Sequence, residues 1–183
     1  PEGVEIWRFG ASDSFDGGVI IDKAGILYFG GQDCYLYSIY LNGTLKWKTD
    51  VGAGTSPTIG QDGTIYAGYE TLYAVNPING SVKWTFDPGP NRYIRGGTPC
   101  NSIDGIIYFG THIGEYDGGE LIAVNPDGTE RWRKMIANKC VDSAPAIGED
   151  GTVYIGSASS DGPSFGYLHA FGIGPLKADA NGP

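Results

Sequence analysis

The chain has 183 residues, 40% of them hydrophobic and 13% aromatic, enough to bury the core of one domain; its 31 glycines follow no collagen triplet and point to many tight turns. A formal net charge of −9, with a pI near 4.5, would repel phosphate backbones and argues against sequence-independent nucleic-acid binding. No apolar run approaches the roughly 20 residues of a membrane-spanning helix, so membrane insertion is not expected.

The chain opens with GVEIWRF at 3–9, an alternating stretch that reads as a strand and carries Trp7. KAGILYFGG at 23–31 and CYLYSIYLNGTLKW, ending at Trp47, follow. QDGTIYAGY at 61–69 and TLYAVNPINGSVKW, ending at Trp84, repeat the pattern. IDGIIYFGT at 103–111 and ELIAVNPDGTERW, ending at Trp132, repeat it again, and EDGTVYIGS at 149–157 with YLHAFG at 167–172 begin a last copy. The tyrosine anchors Tyr28, Tyr66, Tyr108 and Tyr154 lie 38, 42 and 46 residues apart, and all 4 tryptophans are repeat markers. A period of about forty marks a unit that cannot bury its apolar face alone and must stack on its neighbours.

Each copy divides into short β-rich runs bounded by turn residues. In the second, strand A is expected at 56–60, B at 64–69, C at 72–77 and D at 81–86, with QDG and ING as hairpin turns. No amphipathic helix is apparent. The reading is all-β: a β-propeller of about four four-stranded antiparallel blades, near 1–47, 48–84, 85–132 and 133–172. Each D-strand tryptophan is expected to pack between adjacent blades.

The succession Ser/Ala-Pro, Asp-Gly-Thr-x-Tyr-x-Gly, Leu-x-Ala-Val-Asn-Pro and Trp, in register across the copies, resembles the repeat of the pyrroloquinoline-quinone-type (quinoprotein-like) propellers, over residues 1 to about 172. The resemblance implies radial blades with strand A nearest the axis, in rings that commonly hold about seven or eight. It reaches true dehydrogenases and also non-catalytic outer-membrane assembly lipoproteins and cell-surface proteins, so it implies fold more firmly than activity. The non-catalytic cell-surface branch is the expectation: a non-enzymatic extracellular module for protein interaction or surface assembly. A quinone-dependent dehydrogenase or small-ligand receptor using the ring centre, and a structural subunit of an extracellular array or fibre, are the alternatives.

The dehydrogenases resembled hold the quinone between a Trp and a disulfide of adjacent cysteines. Here Cys34, Cys100 and Cys140 stand apart and the tryptophans sit on D strands, so no cofactor-binding or catalytic position carries over and PQQ is not expected. The odd cysteine count leaves at least one thiol, and buried, unpaired structural cysteines are expected. Neither their spacing nor His112 and His169 suggests zinc. There is no nucleophile elbow or phosphate loop. Calcium has weak candidates in Asp13, Asp16 and Asp161, acidic residues beside glycines that match no full calcium loop, and plain solvated turns are favoured.

The D-to-A connections vary in length and would lie toward the axis, where loops on a rigid scaffold carry recognition. They supply Arg92, Tyr93, Arg95, Asn138, Lys139 and Asp142, which would bind a polar partner or pair with one another. The B-to-C insertions HIGEYDGGE and SASSDGPSFG are a second variable set.

The first copy supplies only a D strand and the last only A, B and C. The missing strand would close a four-bladed ring within one chain, join two chains as a homodimer with eight blades, or mark a fragment. The opening proline suggests excision from something longer. The tail at 173–183 reads as a linker, and its ADANGP end resembles the start of polycystic-kidney-disease-type immunoglobulin-like domains. Protein partners or self-assembly are therefore expected.

Overall fold

The computed structural model describes residues 3–15, 17–52, 56–94, 97–114, 118–137, 141, 143–158 and 166–172. The first sheet is β1 (Ile20–Ile21), β2 (Leu27–Gly30), β3 (Tyr35–Ile39) and β4 (Leu45–Asp50). The second is β5 (Thr58–Ile59), β6 (Ile65–Gly68), β7 (Leu72–Val75) and β8 (Val82–Phe86). The third holds β9 (Arg92–Tyr93), β10 (Cys100–Asn101), β11 (Ile107–Ile113), β12 (Gly118–Val124) and β13 (Glu130–Ala137); the fourth is β14 (Ala146–Ile147), β15 (Val153–Ala158) and β16 (Gly166–Phe171). Every sheet is an antiparallel meander in chain order, with β9 added beside β11, and no helix occurs among the described residues.

The strands sit where the sequence puts them, with shorter ladders. In the second sheet, β5 holds only the middle of the expected A strand and β7 ends two residues earlier, because Asn76 turns the chain and accepts the Ile78 amide on its side chain. Two features of the third sheet depart from expectation. Residues 92 and 93 pair with Ile113 and His112 as an extra short strand, and the third B–C hairpin continues its ladder to Ile113↔Gly118.

Paired residues share a sheet face, and the faces pack in series. One core cluster joins sheets one and two through Tyr28, Leu36, Trp47, Ile65 and Val75. The next joins two and three through Tyr66, Leu72, Phe86, Ile107 and Phe109, and a third joins three and four through Leu121, Val141, Val153 and Ile155. No cluster among the described residues joins sheets one and four. The leading face of sheet one, Phe29, Tyr37 and Ile39, is covered instead by Phe9 and Ala11 of the opening segment. The innermost strand β10 lies beside both β5 and β14, which places the A strands along one axis. The result is an arc of four blades.

Candidate assembly surface

The outer rim repeats one row of side chains. In the first three sheets an A-strand residue, the marker tyrosine, a small C-strand residue and the D-strand tryptophan stand opposite one another in turn. The small residue faces the tryptophan at Ser38↔Trp47, Ala74↔Trp84 and Ala123↔Trp132. It leaves room for both rings, so Tyr28–Trp47, Tyr66–Trp84 and Tyr108–Trp132 meet at 5.8, 5.7 and 5.9 Å between centroids.

Trp47 and Trp84 also reach the next blade. Trp47 donates its indole N–H to the Pro77 carbonyl at 3.1 Å, and Trp84 donates to Pro126 at 2.9 Å. Each ring lies on the glycine of that blade's C–D turn: a Cβ on Gly80 would stand 2.9 Å from Trp47, and one on Gly128 would stand 2.7 Å from Trp84. Both glycines have positive φ, so one residue serves the turn and the seat together.

Trp7 makes the second contact without the first. It donates to the Leu41 carbonyl at 2.8 Å and rests on Gly43, 2.7 Å from a built Cβ, as an outer strand of a preceding blade would. Residues 3–11 nevertheless form no strand in this structure, against the expectation of a D strand, because no C strand lies beside them to accept a ladder.

The fourth sheet presents the converse. Tyr154 pairs with Ala170, completing three places of the row, but three strands are all this sheet has among the described residues. The face that is buried in the other sheets is open here: Tyr154 is 38% exposed and Leu168 77% exposed, whereas Tyr28, Leu36, Tyr66 and Leu72 are buried. A cleft of about 870 Å³ runs between sheets three and four, with Tyr108, Trp132, Ile147, Ala170 and Phe171 in its walls.

The loop candidates are placed differently. Arg92 lies on β9 and its guanidinium holds buried Glu120 at 2.8 Å; Arg133 approaches the same carboxylate at 3.5 Å and also pairs with Glu130. Bonds from Arg133, outweighing burial, hold the Glu130 carboxyl below its usual range. Tyr93 packs its ring on Tyr69. Arg92 therefore ties the third blade's connection to its own sheet, and Tyr93 ties it to the second blade. Arg95, Asn138, Lys139 and Asp142 lie outside the described residues.

Of the calcium candidates, exposed Asp13 accepts the Ser14 amide at 2.8 Å, while Asp16 and Asp161 lie outside the described residues. No group of three His, Cys, Asp or Glu side chains suited to a metal occurs among the described residues. Cys34 and Cys100 are both free. Cys34 is exposed, which corrects the expectation of burial at that position, whereas Cys100 is half-buried on β10 and burial pushes its thiol up to about 12. His169 shares a hydrogen bond with Ser157 at 2.8 Å and stacks on Phe171. The residues do not fit a quinone site of the kind the resemblance implies, since Trp47 and Trp84 are spent on rim seats and Cys34 and Cys100 are far apart in sequence.

The repeat row with its rim tryptophans agrees with a family match: the PQQ-repeat model described as outer membrane protein assembly factor BamB covers residues 1–165. The chain belongs to this family. No curated protein sequence matches it. Among solved structures it is similar to BamB from Moraxella catarrhalis, at 18% identity and a TM-score of 0.67, over 91% of this chain and 49% of that one. Quinohemoprotein alcohol dehydrogenase from Comamonas testosteroni gives 13% identity and a TM-score of 0.72 over 84% and 31%. The RRP9 WD40 repeats give 11% identity and 0.67 over 89% and 52%. These likenesses concern the propeller fold, and the chain spans about half the length of the BamB structure.

Proposed function

We propose that this protein is a non-enzymatic module for protein assembly outside the cytoplasm, and that its working surface is the open end of the arc at the fourth sheet. The observation that carries this reading is the exposure of Leu168 and Tyr154 beside the edge of β16, which pairs with no strand but β15 among the described residues. A row of free backbone groups next to an apolar face is a template for an added strand: main-chain hydrogen bonds supply affinity and the face supplies specificity. The family's association with outer-membrane protein assembly supports the setting and the class of role. The misfit of the residues to a quinone site supports an activity other than dehydrogenation. The D-to-A loops would contribute at most a secondary contact, because Arg92 is engaged by Glu120.

Leu168→Asp tests the reading. Light scattering across a concentration series is expected to show association of the native chain and a single-chain mass for the variant, with a melting midpoint unchanged in dilute, single-chain conditions. A native chain that keeps a single-chain mass at every concentration, and whose β16 amides exchange at the rate of a free edge throughout, overturns it.

A further inference from the structure

We propose that the occupant of the fourth sheet's open edge is residues 4–9 of a second copy of this chain, antiparallel to β16 with Trp7 opposite Ala170. The inference rests on the assembly reading above and names its partner.

The register follows from the three complete sheets. Their tryptophan stands opposite a small C-strand residue, Ser38, Ala74 or Ala123, and the small residue at that place in β16 is Ala170. Two residues before each tryptophan, Leu45, Val82 and Glu130 stand opposite Ile39, Val75 and Val124 across a bulge. Glu5 would therefore face Phe171, as Glu130 faces Val124. One residue after, Lys48, Thr85 and Arg133 face Tyr37, Tyr73 and Ile122, so Arg8 would face His169. Trp7 would meet the ring of Tyr154, completing a fourth row like the three already formed.

The two halves are complementary. Trp7 has its next-blade contacts, at Leu41 and Gly43, and lacks its own tyrosine; Tyr154 and Ala170 form a slot that lacks its tryptophan. Ile6 is 91% exposed, an apolar side chain that a strand partner would cover. Closure inside one chain would need sheets one and four to meet, and no core cluster among the described residues joins them. The arc instead matches half of the longer BamB structure over nearly all its own length. Two copies related by a two-fold axis would each give one strand and receive one, an isologous exchange that leaves no open edge.

Arg8→Cys combined with His169→Cys places two thiols opposite each other only in this register. Under mild oxidation the double variant is expected to run at twice the chain mass without reductant and at chain mass with it, several-fold more efficiently than Val4→Cys with His169→Cys, which is out of register. A link closing within one chain overturns the second-copy assignment, and equal linking by both pairs overturns the register. A native chain that associates while neither pair links overturns the occupant alone; a native chain that never associates overturns the assembly reading with it. Because His169→Cys removes the bond to Ser157, amide exchange of the native chain asks the same question independently. Protection of β16 and of residues 4–9 should be lost together on dilution, and Trp7→Ala should abolish both; protection of one without the other overturns the proposal.

Discussion

The second and fourth sheets carry the same motif and differ in what surrounds it. Tyr66 and Leu72 point from sheet two into the core shared with sheet three and are buried. Tyr154 and Leu168 hold the equivalent places in sheet four and face outward. The local chemistry is nearly identical, so burial in this molecule belongs to the neighbour and not to the repeat. Stability should accordingly grade along the arc, as it does where each unit contacts only the next.

The largest contrast is expected from truncating the same leucine in the two places. Leu72→Ala removes buried methyl groups between two blades and should cost about 2–5 kcal/mol. Leu168→Ala should lie within about 0.5 kcal/mol in dilute, single-chain conditions, since it creates no cavity. Denaturant midpoints of both variants measure the difference. Equal losses would mean that sheet four is packed as tightly as sheet two and would break the comparison; a Leu168→Ala loss that grows with protein concentration would sharpen it, because the missing neighbour is then supplied in trans.

A smaller contrast compares two turn glycines, both with positive φ. Gly128 seats the Trp84 ring, whereas a Cβ on Gly151 meets nothing within 4 Å. Replacing either by alanine should cost about 1–2 kcal/mol in backbone conformation. Gly128→Ala should add about 1 kcal/mol more through displacement of the indole. Melting midpoints, with tryptophan fluorescence to report the ring, test this. Equal costs would show that Trp84 shifts freely and that its seat has little weight.

These contrasts also mark what the sequence made legible. The tyrosine and tryptophan anchors, the turn pairs and the strand order are local and periodic, and each appears in the structure close to its expected place. The small residues Ser38, Ala74, Ala123 and Ala170 were equally periodic, but their meaning, room for two rings, needs the sheet register. The double duty of Gly80 and Gly128 was hidden because a turn already accounts for them. Arg92 reads in the sequence as a loop residue, and its union with Glu120 and Arg133 stays hidden because Glu120 lies in a strand whose buried side shows only after β9 docks. The exposure of Tyr154 and Leu168 was illegible in principle, since it depends on a neighbour that their own motif does not encode.

The smallest expected effect concerns the leading face of sheet one, the end of the arc that is covered. Tyr37 donates its hydroxyl to Asp33 at 2.5 Å, and Ser12 of the opening segment donates to the same carboxylate at 2.7 Å. Burial, and then the carboxylate partner, push the tyrosine hydroxyl from 10.0 up to about 12. Below 10.0 the hydroxyl is neutral in both folded and unfolded chains, so its contribution is fully present. Above 10.0 the unfolded chain ionises first while the folded chain keeps its proton, so stability falls until the folded hydroxyl titrates at about 12. Denaturant unfolding at stepped alkaline pH should show this decline, and Tyr37→Phe should make it shallower without abolishing it, because Tyr28, Tyr66 and Tyr108 are also raised, first of all by burial. An unchanged slope would mean that the Tyr37–Asp33 contact opens before the fold does. The opening segment would then be held on sheet one chiefly by Trp7 on Leu41 and Gly43, the contacts it keeps when its strand edge pairs with another copy.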